Sequence, residues 1–204
     1  MAKLSNSLDL NLKCYDLNIK FKKKSTLKVL LFIIFNRSSF LLPFYYLSIL
    51  NTLYLSLGSN LGHREMNLKE AIRRLIQDEN IHLIQQSSVI ETRPWGVSDS
   101  HPNYLNQVIK IETNYYPFKM LRVTQDIEKQ MGRLHKGELQ PREIDIDIIF
   151  FNRLVLDSDS LILPHPRYRE RLFVLKPLLE ITPLLTDPQM GIPVETFLKQ
   201  MEEP

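Results

Sequence analysis

Isoleucine and aspartate alternate in the run Ile144-Asp145-Ile146-Asp147-Ile148. Read as a strand, this run puts the isoleucines on one face and both carboxylates on the other, because successive side chains point to opposite faces. Two carboxylates held that close repel each other unless a cation lies between them. Magnesium suits such a pair, since it takes few protein ligands and keeps positions for water and phosphate. The bland alternative is a half-buried edge strand with a solvated polar face, and alternation alone favours it. Asp is poor in strands, however, and two of them on one face of an Ile/Phe-rich strand are unusual. Asp145 and Asp147 are therefore the candidate metal ligands.

The surrounding basic residues tilt the balance. Arg133, Lys136 and Arg142 precede the strand, and His165, Arg167, Arg169 and Arg171 follow it. Cations beside a metal-binding carboxylate pair are what a polyphosphate such as that of ATP requires: the metal bridges its oxygens and guanidiniums take the rest. Taken singly, each arginine reads as a solvated surface charge; Arg142, three residues before Asp145, has the best claim. The turn Gly58-Ser59-Asn60-Leu61-Gly62 lacks the Gly-Lys-Ser/Thr ending of a phosphate loop and reads as a tight strand-to-helix turn. Thr92-Arg93-Pro94-Trp95-Gly96 carries the only tryptophan beside a proline. Tyr104 and Asn106 share one face of the next strand, and an aromatic ring beside an amide equips a site for a flat heterocycle with a hydrogen-bonding edge. A packed core aromatic explains the same residues equally well.

The elements that must position these groups follow from periodicity. Leu53–Leu57 reads as a short buried strand and Asn67–Gln77 as a helix with Leu68, Ala71, Ile72 and Leu75 inward. Ile81–Glu91 reads as one strand, Thr92–Asn103 as a loop and Tyr104–Glu112 as a strand. Pro117 opens a second helix, and Ile144–Phe151 closes the series as a strand. Strand, helix, strand, strand, helix, strand is the ferredoxin-like βαββαβ pattern of the α+β class, a mostly antiparallel sheet with both helices on one face. The proline-rich remainder from Leu154 is expected to add a short strand pair and a helix around Glu195–Met201.

Composition sets the limits. The chain has 204 residues, 44% hydrophobic and 24% charged, enough for one ordinary domain. The lone cysteine, Cys14, precludes an intrachain disulfide and suits a reducing compartment. Residues 1–50 hold eight Lys/Arg against two Asp, a charge of +6, so with +3 overall the rest of the chain carries −3. That bulk charge gives no reason to expect a nucleic-acid partner. Two apolar runs, Val29–Phe35 and Phe40–Leu50, together approach the ~20 residues needed to cross a bilayer, but Arg37 and Pro43 interrupt them. No small-x-small cleavage site follows them. Residues 1–51 are expected to be a basic, apolar extension, poorly packed or translated from a start placed too early, and residues 52–204 the functional domain. No membrane is expected as a partner.

With these residues in place the chain resembles a known family. Leu55-Ser56-Leu57-Gly58-Ser59-Asn60-Leu61-Gly62, Tyr104-Leu105-Asn106, Pro141-Arg142-Glu143-Ile144-Asp145-Ile146-Asp147-Ile148, Leu163-Pro164-His165-Pro166, and Phe173 with Pro177-Leu178 resemble 6-hydroxymethyl-7,8-dihydropterin pyrophosphokinase of folate biosynthesis. The resemblance runs from about Leu53 into the C-terminal region. It implies a cytoplasmic, monomeric enzyme that moves pyrophosphate from MgATP to the pterin hydroxymethyl group, leaving AMP. It implies that Asp145 and Asp147 hold two Mg2+ ions, and that Arg133, Arg142 and Asp147 serve catalysis. Gln125, Glu128, Arg133, Arg142, Ile148, His165 and Arg171 then match ATP-contacting positions. Thr92, Pro94, Trp95, Tyr104, Asn106 and Phe173 match the pterin pocket, with the ring between Tyr104 and Phe173. Leu139 and Gln140 stand where the family often carries a lid tryptophan. Two rivals compete: a nucleotide-sugar transferase, which also uses Asp-x-Asp to hold metal, and an RNA-binding module on the same kind of sheet, which would need aromatics and cations on its central strands.

Overall fold

The computed structural model describes residues 50–94, 101–132 and 140–202. The chain divides into residues 1–45 and 46–204, and the described residues belong to the second unit. The expected N-terminal extension through residue 49, and with it both apolar runs up to Ile49, lies outside the described residues. Among those described, no helix is long and apolar enough to cross a membrane.

In chain order the elements are β1 (Asn51–Ser59), α1 (Arg64–Ile76), β2 (Ile81–Gln86), β3 (Ile90–Thr92), β4 (Tyr104–Thr113), α2 (Pro117–Gln130), β5 (Asp145–Phe151), β6 (Leu156–Asp157), β7 (Ile162–Leu163), a 3-10 turn (Tyr168–Glu170), α3 (Leu172–Ile181) and α4 (Glu195–Glu202). The sheet runs β2-β4-β1-β5, with β3 also on β4, and each of these pairings is antiparallel. This is the expected ferredoxin-like order, with the second strand in two pieces. The expected continuous strand Ile81–Glu91 breaks at Ser87. The Ser87 N–H donates to Val108 O at 2.9 Å and its hydroxyl oxygen accepts from Val108 N at 3.0 Å. A serine that bonds the neighbouring backbone through its side chain competes with the regular ladder. Ser88 then turns out of the sheet and donates from both N–H and hydroxyl to the Glu180 carboxylate on α3, at 2.8 and 2.7 Å.

Both faces of the sheet are covered. On one, Leu53, Leu55, Leu57, Ile109, Ile111, Ile146 and Ile148 pack against Leu68 and Leu75 of α1 and Met120 and Ile127 of α2. On the other, Tyr54, Val108, Ile149 and Phe150 pack against Val174, Leu175 and Leu178 of α3 and Phe197 of α4. The β1–β5 register shifts between Tyr54 and Leu55, which pair with Phe150 and Ile148. The bulge adds Ile149 to the same face as Phe150. The expected strand pair (β6 and β7) and C-terminal helix are present. Periodicity in the sequence does not reveal α3. Val174, Leu175, Leu178 and Ile181 are spaced for one helix face, but Pro177 inside the run obscures it.

A buried polar knot ties the second face together. Asp187, 0% exposed, accepts from the Tyr168 hydroxyl, from Arg169 Nε at 2.7 Å, and from the N–H groups of Gln189 and Met190 at 2.7 and 2.9 Å. Burial alone would raise its carboxyl, but these donors outweigh it and hold the group below the usual carboxylate range. Burial and the same bond push the Tyr168 hydroxyl well above its ordinary value. Since Tyr168 and Arg169 lie between His165 and Arg171, the knot fixes that segment against the sheet.

Removing one partner strands a desolvated charge. Asp187→Ala should therefore lower the unfolding free energy by about 3 kcal/mol, read from urea denaturation. The folded-state pKa of Asp187 lies below its unfolded value near 4, so its contribution is complete above about pH 4 and disappears as pH falls through the folded pKa. The urea midpoint of the native chain should fall more steeply below about pH 4 than that of Asp187→Asn.

Candidate active site

Asp145 and Asp147 open β5, which pairs with β1 and forms one end of the sheet order. Their neighbours Ile146 and Ile148 enter the core with α1 and α2, so the two carboxylates face the α3 side. The register sets what lies beside them. Gly58 of β1 pairs with Asp145 on one side and with Asn106 of β4 on the other, and Asn106 pairs with Ile90 of β3. Ser56 likewise lies between Asp147 and Val108. A carboxylate, a glycine and an amide thus form a row across three strands. A Cβ on Gly58 would come within 3.3 Å of Asn106 Oδ1 and 3.8 Å of the Tyr104 ring. The absent side chain leaves room above the sheet between the carboxylates and the Tyr104/Asn106 pair.

The cations converge on the carboxylates. Arg171 Nη1 lies 3.1 Å from Asp147 Oδ2, His165 Nε2 3.7 Å from the same oxygen, and Arg142 Nη1 3.4 Å from Asp145 Oδ2. These side chains are between 15% and 26% exposed, so the pairs are half-screened and still open to a ligand. Burial works against the charge on Arg142, but Asp145, Tyr104 and Asp147 outweigh it and raise its pKa. Its Nε is buried with no hydrogen-bond partner among the described residues. His165 is held below its ordinary value, by burial first and by Arg171 and Arg167 against the pull of Asp147 and Asp145. Its Nδ1 accepts from the Arg167 N–H at 3.2 Å. The neutral ring therefore carries its proton on Nε2, the nitrogen that faces Asp147.

Backbone contacts fix this cluster. His165 N donates to Ile149 O at 3.0 Å, which seats the His165 segment on β5. From the other face Glu128, 2% exposed on α2, accepts from Ile146 N at 2.7 Å, between the two aspartates. Arg142 is clasped by Asn60. Asn60 N donates to Arg142 O at 3.1 Å, and Asn60 Oδ1 accepts from Arg142 N at 2.8 Å.

Tyr104, Asn106 and Thr92 lie beyond Gly58. Asn106, 3% exposed, donates from Nδ2 to Thr92 Oγ1 at 2.8 Å, and Thr92 pairs with Tyr104. Phe173, in the first turn of α3, packs at the rim of the second core and carries the Arg171 guanidinium 5.6 Å above its ring. Pro94 is half-buried at the end of the described segment.

The structure thus gathers Asp145, Asp147, Arg142, His165, Arg171, Tyr104, Asn106, Thr92 and Phe173 on one side of the sheet. Arg133 and Trp95, with Lys136 and Leu139, lie outside the described residues. Ile148 is buried in the core with α1 and α2, which leaves its backbone as the part a ligand could meet. Gln125 is half-buried on α2. Glu128 faces the sheet, where its carboxylate meets strand backbone. Sequence reasoning missed the parts played by Gly58 and Asn60. Their turn is evident in the sequence, but only the β1 register reveals that it adjoins both halves of the site.

The described residues offer no group of three or more His, Cys, Asp or Glu able to hold a metal ion. A pair of hard carboxylate oxygens facing a cationic, partly open space fits an ion that completes its shell with phosphate and water. Asp145 and Asp147 are thus the groups able to hold magnesium.

Residues 54–183 match the family model described as 7,8-dihydro-6-hydroxymethylpterin-pyrophosphokinase (HPPK). The 2-amino-4-hydroxy-6-hydroxymethyldihydropteridine pyrophosphokinase of Bacillus subtilis (strain 168) is 44% identical over 131 residues, 64% of this chain and 78% of that one. The protein of the same name from Aquifex aeolicus is 37% identical over 146 residues, 72% and 89% of the two chains. In three dimensions the chain is similar to the HPPK-DHPS protein of Plasmodium falciparum in its crystal structure with pteroate, with a TM-score of 0.58 at 16% identity. That match covers 74% of this chain and 42% of the longer one, and speaks for the fold alone. The chain belongs to the 7,8-dihydro-6-hydroxymethylpterin-pyrophosphokinase family.

Proposed function

We propose that Asp145, Asp147, Arg142, Arg171 and His165 hold the triphosphate of ATP, and that Tyr104, Asn106, Thr92 and Phe173 hold the acceptor. The chain is a transferase: it moves pyrophosphate from ATP to the hydroxymethyl group of 6-hydroxymethyl-7,8-dihydropterin in folate biosynthesis. The observation that supports this division of labour is the row Asp145–Gly58–Asn106, in which a carboxylate and an amide flank a glycine across three strands.

Two Mg2+ ions on Asp145 and Asp147 would neutralise phosphate oxygens and spread the charge of the transition state. Arg142 and Arg171 each stand close to one carboxylate and can offer N–H groups to phosphate oxygens. The Nε2–H of neutral His165 is a further donor. The pterin ring would lie between Tyr104 and Phe173, with Asn106, Thr92 and Pro94 along its edge. Its hydroxyl oxygen then attacks the β-phosphorus in line. The new O–Pβ bond forms as the Pα–O–Pβ bridge breaks, and AMP leaves with the bridging oxygen. The hydroxyl proton departs to solvent or to a nearby oxygen, with Asp147 a candidate acceptor. Positioning and charge neutralisation carry the rate. Gln125 and the Ile148 backbone would take the nucleoside end, and Glu128 supports the strand.

All these residues come from one chain, so a monomer suffices, and the single cysteine suits the reducing cytoplasm. The nucleotide-sugar transferase reading gives way, because those domains use a parallel nucleotide-binding sheet and this one is antiparallel. The RNA-module reading needs aromatics and cations on the central strands, whereas the sheet presents the acid pair Asp145 and Asp147.

Incubated with MgATP and the hydroxymethyl dihydropterin, the protein should release AMP, and with MgATP alone it should not. Asp147→Ala should cut AMP formation roughly 100-fold or more, and near-normal turnover would sink the metal assignment. Gly58→Ala should raise the KM for the pterin about tenfold, the cost of a disturbed polar contact, while the KM for MgATP stays close to its native value.

A further inference from the structure

The turn after β1 holds a residue that touches both halves of the site's framework. Asn60 is 1% exposed, and its N–H, Oδ1 and Nδ2 each meet a defined partner. Its N–H and Oδ1 close a two-bond ring with the carbonyl and N–H of Arg142, at 3.1 and 2.8 Å. Its Nδ2 donates in the opposite direction, to Pro102 O at 3.4 Å. Arg142 leads into Asp145 and Asp147; Pro102 leads into Tyr104 and Asn106. Neither lead-in belongs to a strand at that point, so no sheet ladder fixes the distance between them.

We infer that Asn60 is a positioning residue that sets the donor-side arginine in register with the acceptor-side strand entry. An amide side chain suits this role, because it accepts from one backbone and donates to the other at the same time. Alignment of the attacking hydroxyl with the β-phosphorus depends on that spacing, and an error of about 1 Å can cost roughly 100-fold in rate. Asn60 touches neither substrate in this scheme; it acts through Arg142 and Pro102. The inference rests on the assignment of Arg142 to the triphosphate and of Tyr104 and Asn106 to the pterin.

Asn67 provides the control. Its Nδ2 supports the same turn from α1, donating to Ser59 Oγ at 3.2 Å and Leu61 O at 2.9 Å, without reaching either lead-in. The experiment measures kcat, both KM values and thermal stability for the native chain, Asn60→Ala, Asn60→Asp and Asn67→Ala. Asn60→Ala should lose roughly 10- to 100-fold in kcat. Asn67→Ala should keep kcat within about threefold, though it too loses polar contacts and stability. Asn60→Asp has the same shape and keeps the acceptor for Arg142 N, but sets an oxygen against Pro102 O. It should lose kcat with little change in the KM for MgATP, and it serves if the alanine variant does not fold. Native kcat in a folded Asn60 variant would overturn the inference, as would equal kcat losses in Asn60 and Asn67 variants of equal stability. Failure of the native chain to form AMP would instead sink the reading of the site itself.

Discussion

Two like charges on one face of a strand are the constraint around which this fold is arranged. At the roughly 7 Å spacing of alternate strand residues, two carboxylates near a protein surface repel by about 2 kcal/mol. Pairs at 3.1 and 3.4 Å between opposite charges outweigh that repulsion, and Arg171 and Arg142 supply them. Neither arginine reaches its aspartate unaided. Arg171 follows a turn anchored by the Asp187 knot, and Arg142 is clasped by Asn60. Glu128 braces the strand from the opposite face through Ile146 N. The charged site therefore draws on α2, the turn after β1 and the C-terminal elements together.

Under the proposed roles, the same geometry lets donor and acceptor meet. A sheet keeps neighbouring side chains at fixed lateral spacings, so residues paired across β5, β1 and β4 present a row of functional groups. In this row the central residue is Gly58, and its missing side chain leaves the space between Asp145 and Asn106 open. The second core supports the row from one end: Phe150, Tyr168 and Phe197 stack edge to face at 4.9 and 6.0 Å and carry the segment from His165 to Phe173. In this chain the sheet is both scaffold and floor of the site.

Much of this could be read from the chain alone, and the limits have physical causes. The alternation at Asp145 and Asp147 and the helical spacing in α1 and α2 are local signals, so the order of elements along the chain and the carboxylate face followed from them. The break in the second strand was hidden because Ser87 and Ser88 bond to distant partners, Val108 and Glu180. The helix α3 was obscured by Pro177. Glu128 matched a nucleotide-side position by resemblance, yet its carboxylate bonds to strand backbone, a role that only three-dimensional pairing reveals. Asn60 and Asp187 were silent for the same reason. Their partners lie 82 and 18 or 19 residues away, and an isolated Asn or Asp in a loop looks like an ordinary turn residue.

Asp145 and Asp147 together are proposed to hold the metal ions that carry the triphosphate. The most direct measurement replaces magnesium with paramagnetic Mn2+ and counts the tightly bound ions per chain by electron paramagnetic resonance, with a non-hydrolysable ATP analogue present. The native chain should bind two Mn2+ ions under these conditions, and a folded Asp145→Asn/Asp147→Asn chain should lose both. The same count in the native and doubly substituted chains would contradict the account.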